Sequence, residues 1–222
     1  MVDLARAVLA VLTRAPSTGG KSRLFQTLGV PPDARLLRAL LLDTLDGTAV
    51  PGLRRAIAVT PGSACDEVRA IAGGIDALPQ ADGDLGARMQ AAMDTLFGQG
   101  ADAVALIGSD LPHIAPGTIA DAFDALAHDR DALVLGPAAD GGYYLIGARR
   151  PPGVFAGMEW GSAHVLARTV QTASAAGFRV HQLPPLADVD TADDLRAAIR
   201  TGRARRCAEW MDPRRVFGYT GA

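Results

Sequence analysis

Short uninterrupted apolar runs alternate along this chain with longer stretches in which apolar positions recur every three or four residues. Residues 7–13 (AVLAVLT), 56–60 (AIAVT), 103–108 (AVALIG), 131–136 (DALVLG), 143–147 (YYLIG) and 178–183 (FRVHQL) read as strands. The first of them, closed by Pro16, Gly19 and Gly20, has the continuous apolar character of a strand buried on both faces. Helices are expected over 21–29, from Pro32 to Gly47, near 66–72, and over 84–97, 116–128, 162–176 and 192–200. Alternation of this kind predicts an α/β fold with a mainly parallel sheet: one domain over residues 1–200, then an Arg-rich tail over 201–222. That tail reads either as a phosphate or acidic-partner contact or as a solvated terminus, and the second is favoured.

Composition narrows the class. The 222 residues are 49% hydrophobic and 21% charged, ordinary for a globular protein with a substantial core. A net charge of -2 supplies no field for nucleic acid or an anionic membrane, and 5% aromatic residues is thin for base stacking. Cys65 and Cys207 match no metal or redox spacing, so a reduced, cytoplasmic setting is expected. The apolar core at 7–12 is short and is followed by Arg14 rather than a small-residue cleavage site, which fits a first strand and not a signal peptide.

Of the 22 Lys and Arg residues only Lys21 is lysine, and it stands in a Gly-rich turn, APSTGGKS, after the first strand. Codon usage explains a survivor by chance; a need for a compact, flexible point charge explains it chemically. The turn is a near-copy of the phosphate-cradling G-x-x-x-x-G-K-[ST] loop, with Ala15 replacing the first Gly and Pro16 stiffening it. A P-loop kinase or NTPase therefore stays open, with Asp110 as its acidic partner. Asp110 in IGSDLP lies just past the carboxyl end of an apolar strand, where open α/β sheets bind ligands, or it caps the next helix. Asp188 and Asp190 in LADVD follow the last strand in the same way. Asp140-Gly141-Gly142 is either a ligand approach or an ordinary tight turn. In QADGDLGARM, residues 80–89, Asp84 can cap a helix, Gly86 allow close approach and Arg88 sit one turn in. Trp160 in EWGS closes over an acceptor or fills the core.

Together the Lys-Ser-Arg-Leu turn, DGDLGARM, IGSDLP, GPAADGGYYLIG, GMEWGS and LPPLADVDTADDL resemble, in that order, the DUF2064 family of glycosyltransferase-A-like proteins, related to the molybdenum-cofactor and phospholactate nucleotidyltransferases. The resemblance spans residues 8–200. It implies a GT-A, Rossmann-like domain that binds a nucleotide-activated donor and a small-molecule acceptor, with Mg²⁺ or Mn²⁺. It places Lys21 and Arg23 at the phosphates, with Arg14 and the Gly19-Gly20 backbone nearby. The segment 80–89, with Asp84, Gly86 and Arg88, falls near the nucleotide, and Asp140, Gly141, Gly142 and Trp160 on the acceptor side. Asp110 becomes the metal acid and Asp188 or Asp190 the second. Lys21, Arg23 and Asp110 carry catalysis in this reading. Relatives commonly have an acid three positions after the SD aspartate; here it is His113, a poorer Mg²⁺ ligand. The expected reaction is glycosyl transfer from a nucleotide-sugar, with nucleotidyl transfer releasing pyrophosphate as the alternative. A binding protein without turnover also remains open.

Overall fold

Seven strands and eight helices alternate through residues 4–212, the part of the chain described by the computed structural model. The strands are β1 (Ala7–Arg14), β2 (Arg54–Thr60), β3 (Asp76–Pro79), β4 (Ala103–Gly108), β5 (Ala132–Pro137), β6 (Tyr143–Ala148) and β7 (Arg179–Gln182). They form one sheet in the order β3-β2-β1-β4-β6-β5-β7. Only β6 runs against its neighbours β4 and β5; the other pairings are parallel. The expected mainly parallel α/β sheet is therefore present, with one reversed strand inside it.

The helices are α1 (Ser22–Leu28), α2 (Ala34–Gly47), α3 (Cys65–Ile71), α4 (Leu85–Gly98), α5 (Pro116–His128), α6 (Val165–Ala175), α7 (Ala192–Arg200) and α8 (Arg205–Met211). Successive side chains of a strand point to opposite faces. Accordingly Leu9 and Val11 of β1 join Leu41, Val68, Ile119 and Phe123 in one core layer, while Val8 and Ala10 join Met89, Met93 and Leu96 in the other. β1 and β4 are buried along both faces, which explains their unbroken apolar runs. A third cluster joins Leu24 and Phe25 of α1 to Leu36 and Leu40 of α2, Val189, Leu195 of α7 and Cys207 of α8.

Two features depart from the sequence reading. β3 has only four residues, all partly or fully exposed, so it carries no clear pattern of its own and was not expected as a strand. Residues 205–211 are not a solvated tail. They form α8, whose Cys207 is fully buried and whose Arg206 pairs with Asp43 and Asp46 of α2. Arg214 and Arg215, the rest of the expected basic tail, lie outside the described residues. No helix among the described residues is long and apolar enough to cross a membrane.

Candidate active site

From β1 the chain proceeds to β2 and β3 on one side and later returns to β4 on the other. Such a switch leaves a crevice beyond the carboxyl ends of the two central strands. Here it is a cleft of about 550 Å³ that runs from Arg14, Gly19, Gly20 and Lys21 past Ser109, Asp110 and Asp188 to Asp140, Gly142, Tyr143 and Trp160.

Lys21 is at its centre. It is the one non-glycine residue with positive φ among those described (φ 51, ψ 41), a conformation that costs an L-residue about 1–2 kcal/mol. Its Nζ lies 2.5 Å from Asp110 Oδ2 and 2.6 Å from Asp190 Oδ1. Burial alone would depress the ammonium, but Asp110 and Asp190 outweigh it and its pKa is raised. The turn before it is a short 3-10 segment. Ala15 N–H donates to Thr60 O, Thr18 caps back onto Ala15 O, and Ser17 bonds to Glu67. Gly20 has φ 134, and a Cβ there would sit 3.4 Å from the Arg14 side chain.

Asp110, Asp188 and Asp190 converge. One oxygen from each lies within 4.8 Å of the others. Burial, then repulsion from Asp110 and Asp190, pushes the Asp188 carboxyl up to about 6, partly offset by Lys21. Backbone bonds hold the three acids in register: Val189 N–H, between the last two, donates to Asp110 O at 3.0 Å. Thr44 of α2 grips the other side. Its fully buried hydroxyl donates to Ser109 O at 3.0 Å and accepts from Leu111 N–H at 3.2 Å, so both peptides flanking Asp110 are held by one side chain. Asp190 does not cap α7. Thr191 does, in a capping box with Asp194, which leaves the Asp190 carboxylate to Lys21. Thr27 of α1 accepts from Ala192 N–H at 2.8 Å, bringing the end of α1 to the start of α7.

Other expected residues fall elsewhere. Arg23 is exposed on α1, is not part of the cleft wall, and acts electrostatically on Asp194. Asp84 is the N-cap of α4, accepting from Ala87 N–H at 2.8 Å, and does not line the cleft. Gly86 is buried: a Cβ would meet Phe155 O and the Trp160 ring at 2.9 Å, so the glycine admits an indole rather than a ligand. Arg88 does line the cleft, its Nε bonded to Gly83 O. Of the Asp-Gly-Gly turn, Asp140 accepts from Gly142 N–H and both face the cleft. Gly141 turns away with φ 89, against Ala163 O. Trp160 packs edge-on against Tyr143 at 6.4 Å, and both line the cleft. His113 stays outside the carboxylate cluster, its Nδ1 buried without a partner and its pKa lowered by burial and then by Arg203. Ser22, the [ST] position of the P-loop alternative, is exposed and off the cleft wall; the N-cap of α1 is Lys21.

Sequence reasoning missed Thr44 and Gln80. Thr44 is inside a helix pattern; Gln80 opens the 80–89 segment that the resemblance sets near the nucleotide, but nothing in that segment singles it out, and it follows a strand too short to be noticed.

A family model described as an uncharacterized protein conserved in bacteria (DUF2064) matches residues 44–162. A solved structure from Desulfovibrio desulfuricans G20, assigned as a nucleotide-diphospho-sugar transferase, is 33% identical with a TM-score of 0.81, over 93% of this chain and 95% of that one. A 4-diphosphocytidyl-2C-methyl-D-erythritol synthase is similar in fold alone, at 10% identity and a TM-score of 0.56, over 89% of this chain and 97% of that one. So is a cytidylyltransferase from Leptospira borgpetersenii, at 15% and 0.54, over 85% and 83%. A search of curated proteins finds no match to the sequence.

Proposed function

The chain belongs to the DUF2064 family and is a GT-A-like enzyme of nucleotide-activated substrates, and we propose that its reaction is nucleotidyl transfer from a nucleoside triphosphate to a small phosphorylated acceptor. The observation that carries this reading is the contact of Lys21 with two of three convergent carboxylates. It puts the loop's point charge and the acidic cluster on the same few ångströms of space, where one phosphorus can meet both. In glycosyl transfer the reacting centre is a sugar carbon one oxygen removed from the diphosphate. The fold shared with two cytidylyl-transferring enzymes supports the same choice.

The three carboxylates suit a hard divalent cation, Mg²⁺ or Mn²⁺: the donors are all oxygen, they are close together, and an ammonium already bridges two of them. Such a cation, when bound, supplies Lewis-acid stabilisation of charge on phosphoryl oxygens. The protein's own groups do the rest. Arg14, Lys21, Arg88 and the Gly19-Gly20 backbone line the phosphate side of the cleft. An acceptor oxygen approaching from the Asp140–Trp160 side bonds to the α-phosphorus as its bond to the β-bridging oxygen breaks. Pyrophosphate leaves, and Lys21 is placed to stabilise the charge that develops.

The name of the Desulfovibrio relative favours glycosyl transfer as the second reading. Product analysis separates the two. With Mn²⁺, each nucleoside triphosphate and a pool of sugar phosphates and phosphorylated acids, pyrophosphate release is expected. Release of nucleoside diphosphate from a nucleotide-sugar, without pyrophosphate from any triphosphate, overturns the proposal.

A further inference from the structure

Gln80 follows β3 directly and lines the cleft. Its backbone N–H donates to Val59 O at 2.8 Å, and its side-chain Nε2 donates to Ala58 O at 2.8 Å and Thr13 O at 3.1 Å. The side-chain amide thus spans the ends of β2 and β1. Both N–H groups are engaged, and reversing the amide would press Oε1 against two carbonyl oxygens, so its orientation is determined. What remains is Oε1, an acceptor with no donor among the described residues.

Place and surroundings suit a base. β1 adjoins β4, whose end carries Asp110. At about 4.8 Å per strand, the Gln80 amide stands one to two strand widths, roughly 5–10 Å, from the acidic cluster. A ribose bridges such a gap. The same cleft is lined by apolar Leu12, Leu85 and Met89. Leu85, at 46%, is the most exposed large hydrophobic side chain among the described residues. An exposed leucine on a cleft wall offers a flat ring a surface to cover.

We infer that Gln80 is the specificity-determining residue for the base and selects one with an exocyclic amine, of the cytosine or adenine type; this rests on the nucleotide-donor reading above. The chemistry is one of acceptor and donor. Cytosine N4 and adenine N6 donate, whereas the oxo counterparts uracil and hypoxanthine set a carbonyl oxygen in the same place, lone pair against lone pair. Because Nε2 is held by the two backbone carbonyls, Gln80 cannot rotate to offer a donor instead.

Equilibrium binding with Mn²⁺ tests it, comparing CTP with UTP and ATP with ITP, and using inorganic triphosphate to read the phosphate site alone. In the pair that binds better, the amino nucleotide is expected to bind at least about 10-fold tighter than its oxo partner. Gln80→Met should bring that ratio to within about 2-fold and leave inorganic triphosphate binding unchanged. Equal or tighter binding of the oxo nucleotide by the unaltered protein overturns the assignment, whether or not the variant folds. So does a preference that survives Gln80→Met, or no gain in affinity from any base. A preference carried by Gln80 without pyrophosphate release would sustain the base assignment and overturn nucleotidyl transfer.

Discussion

Lysine and arginine differ most where backbone space is tight. At position 21 the backbone is left-handed, the side chain is folded onto two aspartates, and the charge sits at a point between them. A guanidinium presents a planar fork that wants two parallel acceptors, and Asp110 and Asp190 come from different elements with no such arrangement required of them. Lys21→Ala is therefore expected to lower turnover by about 10²–10³-fold with the melting transition still cooperative, because the proposed phosphate contact is lost and no core is opened. Lys21→Arg should also be strongly impaired. Steady-state rates at saturating nucleotide check both, and full activity in Lys21→Arg would return the lone lysine to codon usage.

Helices hold this site from behind. α2 supplies Thr44 to the Asp110 loop on one end of its buried face, and its N-cap Asp33 receives Arg35 N–H at 2.8 Å. The same carboxylate accepts from the Trp210 indole of α8 at 2.9 Å, so one residue caps α2 and anchors α8. Hydrogen bonds from Arg35, then Trp210, hold the Asp33 carboxyl at about 2 against a smaller opposing effect of burial. A depressed carboxylate stabilises the fold above its unfolded pKa near 3.9, and that contribution is lost as pH falls through its folded value. Asp33→Asn still caps a helix but does not titrate. The unaltered protein should melt about 1–4 °C above this variant at pH 7, with the gap closing between about pH 4 and pH 2. Thermal melts across that range read it, and a gap that persists at pH 2 would show that the carboxylate charge is not its source.

Across the whole molecule, the acids that meet in the cleft are about eighty positions apart in sequence and come from strand ends on opposite sides of β6 and β5. A cation shared among them binds only the folded chain. Mn²⁺ at about 100 times its Kd should add about 2.7 kcal/mol, or roughly 5–10 °C in melting temperature for a chain of this size. Asp110→Asn should abolish that gain, as measured by melts with Mn²⁺ and with a chelator; an undiminished gain would place the ion elsewhere. The α/β class, six of the seven strands and the convergence of Asp110 with Asp188 and Asp190 were legible in the chain. They rest on local signals: apolar runs sized for strands, glycines and prolines that stop them, and acids at strand ends that a parallel sheet must bring to one edge. Lys21 was legible too, by its singularity. Arg23, expected at the phosphates, and Asp84 and Gly86, expected beside the nucleotide, do not line the cleft, because a motif does not say which way a side chain points once its helix is packed. β3, α8, Thr44 and the individual role of Gln80 were invisible for a related reason. Each is defined by partners far along the chain: β3 by its pairing with β2, α8 by Asp33 and Asp43, Thr44 by the Asp110 loop, and Gln80 by two strand ends. Sequence alone determined the elements and the edge on which their chemistry collects. Only the tertiary structure decided which side chains face the cleft, because strand order and helix orientation are set by contacts that local periodicity does not encode.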